Sequence, residues 1–199
     1  MLEFSILGQS TSLIEIAGLL TGIASVWLTV RQDILCFPIG IINVLIYAFL
    51  FSSNGIRLYA DAFLQIIYLI LLIYGWIRWK KNKIEINFPI SINSFFLTRL
   101  LVFCIPAFFI LGLFLANYTN ASLPWLDALL TIISLAAQWM IAKKMIENWA
   151  LWIAVNIVYV PLYIYKGLHL TAILYFIFLV LAFKGLSEWK KLSKKINPI

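Results

Sequence analysis

Trp149, Trp152 and Asn156 stand at i, i+3 and i+7, a spacing that puts them on one face of a helix. Tyr159 and Tyr163 extend the stripe, and all five fall within roughly an 80° arc at ~100° per residue. None of these side chains breaks a bond by itself. Their chemistry is recognition. An indole face attracts a cation by ~0.5–2 kcal/mol and stacks on planar rings, and an amide donates and accepts hydrogen bonds. The stripe therefore suits a small aromatic, polar or cationic solute. A packing account competes with it. Trp149, at a helix end, fits an interfacial aromatic belt, and an intramembrane Asn commonly makes a helix–helix hydrogen bond contributing ~0.6–2 kcal/mol. Trp152 lies a turn deeper and fits the belt less well. Three more amides, Asn43, Gln65 and Gln138, fall inside apolar runs, and Gln65 shares a helical face with Asp61 and Tyr68.

These residues need a membrane to work in. The chain is 64% hydrophobic and 12% charged, where soluble domains are about 45–50% apolar and about 25% charged. Its mean hydropathy is +1.01. The composition predicts an all-α integral membrane protein of one domain. Met1 to Phe4 carry no basic stretch, so no cleavable signal peptide is expected. Cys36 and Cys104 sit in apolar surroundings and read as buried thiols. The chain has no phosphate-binding loop, His-Glu-x-x-His pair, nucleophile elbow or Cys/His cluster, so no enzyme, cofactor or metal site is expected. The net charge of +7 is better explained by membrane orientation than by nucleic acid.

Seven spans are predicted, at 13–30, 34–51, 58–78, 95–116, 122–142, 149–165 and 168–187, each near the ~20 residues a crossing requires. With seven spans, only Arg57 and Lys166 of the 15 basic residues fall on the side of the N-terminus. The positive-inside rule then puts the N-terminus outside and the C-terminus in the cytoplasm. Lys190 to Lys195 read as a solvated tail facing lipid headgroups, His169 as a loop residue, and Trp76, Trp79, Trp125 and Trp189 as belt residues. Glu15, Asp61 and Asp127 lie at outer span ends, either as helix N-terminal charges or as attractors of a cationic solute.

Spans 1–3 align with spans 5–7 at an offset of about 112 residues. Trp27 lies over Trp139, Arg31 over Lys143 and, with one loop residue added, Asn43 over Asn156. Three spans, one span and three spans keep both copies in the same orientation, a 3+1+3 parallel repeat. The bounds are 13–79 for the first copy, 95–116 for the linker helix and 122–189 for the second copy. Transport folds of this kind hold their substrate between the copies near the midplane, where Asn43 and Asn156 would face one another.

The segment Trp149-x-x-Trp152-x-x-x-Asn156 resembles the signature of the PnuC family of nicotinamide riboside transporters. Ile41-Ile42-Asn43-Val44, Leu58-Tyr59-Ala60-Asp61 with Leu64-Gln65, and Tyr74-Gly75-Trp76-x-x-Trp79 are similar as well, and the resemblance spans about residues 13–190. It implies two three-helix bundles like those of the sugar-transporting SWEET proteins, joined by span 4. It also implies facilitated diffusion across the bacterial cytoplasmic membrane, with phosphorylation inside trapping the substrate. Trp149, Trp152 and Asn156 would then line the site, with Asn43, Gln65, Gln138 and Tyr159 around them.

Nicotinamide riboside carries a planar pyridinium cation and a hydroxyl-rich ribose, which suit indoles and amides. Thiamine, another planar aromatic cation, is the alternative inside the family. Outside it stand a non-transporting membrane scaffold or receptor, and a sugar uniporter. The expected partners are thus a small molecule and membrane lipid, with a homo-oligomer left open.

Overall fold

The computed structural model describes residues 3–6, 9–52, 59–81, 89–92, 94–119, 121–165 and 167–196. A short antiparallel hairpin comes first, β1 (Glu3–Ile6) against β2 (Gln9–Ser12), with Glu3 opposite Ser12. Seven helices follow among the described residues: α1 (Leu13–Val30), α2 (Cys36–Ser52), α3 (Tyr59–Lys81), α4 (Ser94–Tyr118), α5 (Pro124–Ala142), α6 (Asn148–Tyr165) and α7 (His169–Ile196). Five of them, α1, α4, α5, α6 and α7, are long and apolar enough to cross a membrane. Only a helix satisfies all of its own backbone groups in hydrocarbon, which is why apolar runs of this length fold this way.

The start of α1 is set by a capping box. The Glu15 N–H donates to Ser12 Oγ at 3.2 Å, and the Ser12 N–H donates to Glu15 Oε2 at 2.9 Å. Such a cap contributes ~1 kcal/mol. It gives Glu15 the helix-terminal role, one of its two readings from sequence.

Six helices close into a ring. α1 packs on α2, α2 on α3, α3 on α5, α5 on α6, α6 on α7, and α7 returns to α1. The fourth helix stands outside and packs chiefly on α5, where Gly112 leaves room for the Trp125 ring. Most of its surface, Phe103 and Ile110 included, is exposed and apolar, as a lipid-facing helix requires. Its approach is strapped to the α5–α6 turn. The Ile90 N–H donates to Lys144 O, and the Ile146 N–H donates to Ile90 O. Ser91 Oγ and the Ile92 N–H both donate to Glu147 Oε1.

Four helices end where α2 and α6 begin, at the end of the bundle rich in Lys and Arg. The two turns there are built alike. α1 is capped by Arg31 and followed by Gln32 at φ 55°, while α5 is capped by Lys143 and followed by Lys144 at φ 55°. Aromatic rings fill the space between them. Phe37 meets Trp79 edge-on at 5.0 Å, Trp149 meets Trp189 edge-on at 5.4 Å, and Trp79 meets Trp189 at 6.3 Å. Gly75 faces Phe37 and Gly185 faces Trp149, each so closely that a Cβ would collide with the ring.

The expected spans match α1 to α6 to within a few residues. The differences lie at the basic end. α7 continues to Ile196, so Lys190, Lys191 and Lys194 ride on a helix and not on a solvated tail. His169 is the first residue of α7, not a loop residue. Trp76 and Trp125 are exposed like belt residues, but Trp79 and Trp189 are core, Trp189 at 0% exposure. Their indole N–H groups find carbonyl partners inside, which removes the reason for an indole to stay at the interface. The Gly55 turn and the Arg57 site lie outside the described residues.

Gly75→Val and Gly185→Val should each overpack this aromatic layer by ~1–3 kcal/mol and lower Tm by roughly 3–10 °C. Thermal unfolding in detergent measures this.

Candidate functional site

Asn43 sits where α1, α2 and α7 meet. Its Nδ2 donates to Gly18 O at 2.6 Å and to Thr21 Oγ1 at 3.1 Å. Thr21 Oγ1 in turn donates to Ala17 O at 2.7 Å. Gly22 makes the junction possible, because a Cβ there would lie 3.3 Å from Asn43 Nδ2 and 3.4 Å from Phe178. Asn156 is buried in α6, and its Nδ2 donates to Trp152 O at 2.7 Å. Each amide nitrogen is therefore committed to carbonyls of its own three helices, not to its counterpart across the bundle. A carbonyl one turn away, or on the adjoining helix, is simply closer than the other half.

The rest of the aromatic stripe divides in two. Trp149, at 1% exposure, is enclosed by Gly185 and Trp189, and its Nε1 has no hydrogen-bond partner. Trp152 is half-buried and packs against the same core. Further from the basic end, Tyr159 stacks on Tyr163 at 5.5 Å, and both rings meet Tyr175 of α7, at 4.7 and 5.0 Å. Tyr175 meets Phe178 edge-on at 5.9 Å, so the aromatic chain continues from α6 through α7 to Gly22 and Asn43.

Across the other seam, Tyr68 of α3 lies beside Ser134 of α5. Gln65 lies one turn from Tyr68 and Gln138 one turn from Ser134, both half-buried. Neither amide makes a side-chain hydrogen bond among the described residues. The Asp61 side chain lies outside the described residues, while Asp127 occupies the first turn of α5.

Tyr175, Phe178, Thr21 and Ser134 were not singled out from sequence. Tyr175 and Phe178 form an i, i+3 aromatic pair that could have been noticed. Thr21 and Ser134 carry no spacing signal, since a lone hydroxyl in an apolar run is common.

At the basic end Lys144 is buried, with Nζ 4.4 Å over the Trp79 ring, and burial pushes its ammonium below its ordinary value. Lys143 Nζ lies 3.9 Å over Trp139, and Lys184 Nζ lies 4.1 Å over Trp27. The arrangement as a whole brings π faces, phenol rings and half-buried amides of several helices into the bundle. That is binding chemistry for a planar ring bearing polar groups.

Residues 12–191 match the family described as nicotinamide mononucleotide transporters. The chain belongs to that family. The chain is 26% identical to the nicotinamide riboside transporter PnuC of Escherichia coli, over 92% of this chain and 87% of that one. It is 26% identical to the PnuC of Neisseria mucosa, over 88% and 71%, and 22% identical to the riboflavin/roseoflavin transporter RibM of Streptomyces davaonensis, over 91% and 86%. The crystal structure of the vitamin B3 transporter PnuC shares the fold, with a TM-score of 0.74 at 23% identity over 92% of this chain and 83% of that one. The molecule is a multi-pass membrane protein of a transporter family.

Asn43→Ala should cost ~0.6–2 kcal/mol in ligand-free thermal unfolding, because it removes a bond between α1 and α2. Gln65→Ala and Gln138→Ala, which break no side-chain hydrogen bond among the described residues, should stay within about 0.5 kcal/mol of the parent.

Proposed function

We propose that this protein carries nicotinamide riboside down its gradient across the bacterial cytoplasmic membrane, with phosphorylation inside trapping the substrate. The observation that carries this reading is the lining of aromatic rings and amides between two sets of three helices, in a chain of this family. Trp152 and Tyr159 offer faces to the pyridinium ring. Gln65, Gln138, Asn156 and Asn43 offer amides to the ribose and carboxamide. Trp149 closes the basic end of the path.

The architecture proposed is the 3+1+3 parallel repeat of SWEET-like bundles, with copies at 13–79 and 122–189 and the linker helix at 95–116. Helix order supports it: α1-α2-α3 and α5-α6-α7 meet at two seams, α3 on α5 and α7 on α1, which exchange under a two-fold axis along the membrane normal. The paired turns at Gln32 and Lys144 support it too. The basic end is assigned to the cytoplasm by its Lys and Arg content, so the N-terminus lies outside. The likeness to RibM adds riboflavin to thiamine as a competing cargo.

Isothermal titration of the detergent-purified protein with nicotinamide riboside, thiamine and riboflavin separates the cargoes. Binding of nicotinamide riboside alone is expected; binding of thiamine or riboflavin alone reassigns the vitamin. Trp152→Ala and Asn156→Ala should each weaken binding about tenfold or more, a loss of ~1.4 kcal/mol, while the protein still folds. Normal binding by both variants makes the stripe structural. In liposomes, flux should persist when the proton gradient is collapsed, and its loss would overturn facilitated diffusion.

A further inference from the structure

We propose that Trp79 and Trp189 form the gate at the basic end of the transport path, a pair of crossed latches that must part for substrate to leave. The proposal rests on the transporter reading above. Each indole belongs to one set of three helices and hydrogen-bonds to the other. Trp79 Nε1 of α3 donates to Ile141 O of α5 at 3.3 Å. Trp189 Nε1 of α7 donates to Thr29 O and Val30 O of α1, both at 3.2 Å. These bonds span the two seams of the ring, and the indoles meet each other at 6.3 Å between them. A solute travelling between the sets of helices therefore reaches these two rings before it can leave at this end.

The latches are mounted rigidly. Trp79 is held edge-on by Phe37, whose ring fits against Gly75, and Trp189 is held edge-on by Trp149, whose ring fits against Gly185. Both aromatic contacts stay within one set of three helices. The indole N–H bonds and the contact between the two indoles cross, together with Lys144 over Trp79 and Lys184 over Trp27. Separation therefore breaks at the seams and leaves each Trp with its own partner.

The acceptors are last-turn carbonyls of α1 and α5 at the polar end of the bundle, and Thr29 O and Ile141 O each also accept a backbone N–H of the turn that follows, from Gln32 and from Lys144. When a latch opens, Thr29 O and Ile141 O keep their turn donors and water takes over the indole N–H, so little free energy is lost. That makes the contact reversible where a buried bond deeper in the bundle would not be. Trp149 then acts as a positioning residue for Trp189, which accounts for its full burial.

The chain carries its own reporter. Cys36 is buried beside Phe37 and near Thr29, whose carbonyl receives Trp189. With Cys104→Ala, which removes the thiol on lipid-facing α4, Cys36 is the single thiol. The full-length protein is reconstituted in liposomes with the basic end accessible, and labelling by a membrane-impermeant maleimide is timed. Trp79→Phe and Trp189→Phe keep a ring and remove the N–H. Each should speed labelling about fivefold, and the double variant about 25-fold, as expected for losing one or two ordinary hydrogen bonds from the closed state.

Binding of nicotinamide riboside with unchanged affinity identifies folded variants. Equal labelling rates in folded variants and parent overturn the proposal. A measurement without Trp substitution stands beside it: in the Cys104→Ala protein, labelling of Cys36 should rise with flux of nicotinamide riboside. A thiol that stays unreacted through sustained flux also overturns the gate. Absence of flux of nicotinamide riboside, thiamine and riboflavin removes the transporter reading, and the gate with it. Normal flux with indifferent labelling removes the gate alone.

Discussion

Two edge-on aromatic contacts, Phe37 on Trp79 and Trp149 on Trp189, decide how the helices meet. In lipid there is little hydrophobic drive to bring helices together, so close packing and internal hydrogen bonds must do it. Gly75 and Gly185 allow the rings to lie against helix backbone. The rings then set where the indole N–H groups point, and those groups tie α3 to α5 and α7 to α1. The ring of six helices closes through these four residues and their two glycines. The proposed substrate lining further out depends on that closure, because Tyr159, Tyr175 and Asn43 come from different helices that only the ring order brings near.

Much of this was legible in the sequence because hydropathy and charge are strong signals in a membrane protein. The helices fall where apolar runs and polar breaks put them. The faint alignment of Arg31 with Lys143 reappears as two matching left-handed turns, at Gln32 and Lys144. What sequence misplaced were the tryptophans. Trp76 and Trp79 stand in one short run with the same flanking lysines, yet one faces out and the other is core. Only the direction to the neighbouring helix separates them, and no single-chain pattern encodes it. Asn43 and Asn156 spend their amide nitrogens locally for a related reason. Equivalent positions in a repeat fix equivalent surroundings, and the surroundings here are local carbonyls.

The polar groups of the bundle divide by how fully they are used. Asn43 and Thr21 spend their hydrogen bonds on carbonyls of α1. Gln65 and Gln138 make no side-chain hydrogen bond among the described residues. A half-buried amide without an internal partner is costly unless water or a solute completes it, so these two glutamines are where the interior is least finished. Relatives named for nicotinamide riboside and for riboflavin share this fold at modest identity. A scaffold held together at one end by aromatic rings leaves the unfinished part free to vary with the cargo.

The strap from Ile90, Ser91 and Ile92 to the α5–α6 turn has a mechanical consequence. It fastens the approach to α4 onto the second set of helices, and α4 itself leans on α5. The protein is thus symmetric in its contacts but lopsided as a machine. In the proposed transport cycle one moving body would have three helices and the other four, the fourth facing lipid. Relative motion then falls unequally on the two, with the lighter body swinging against one that is anchored by viscous drag in the bilayer.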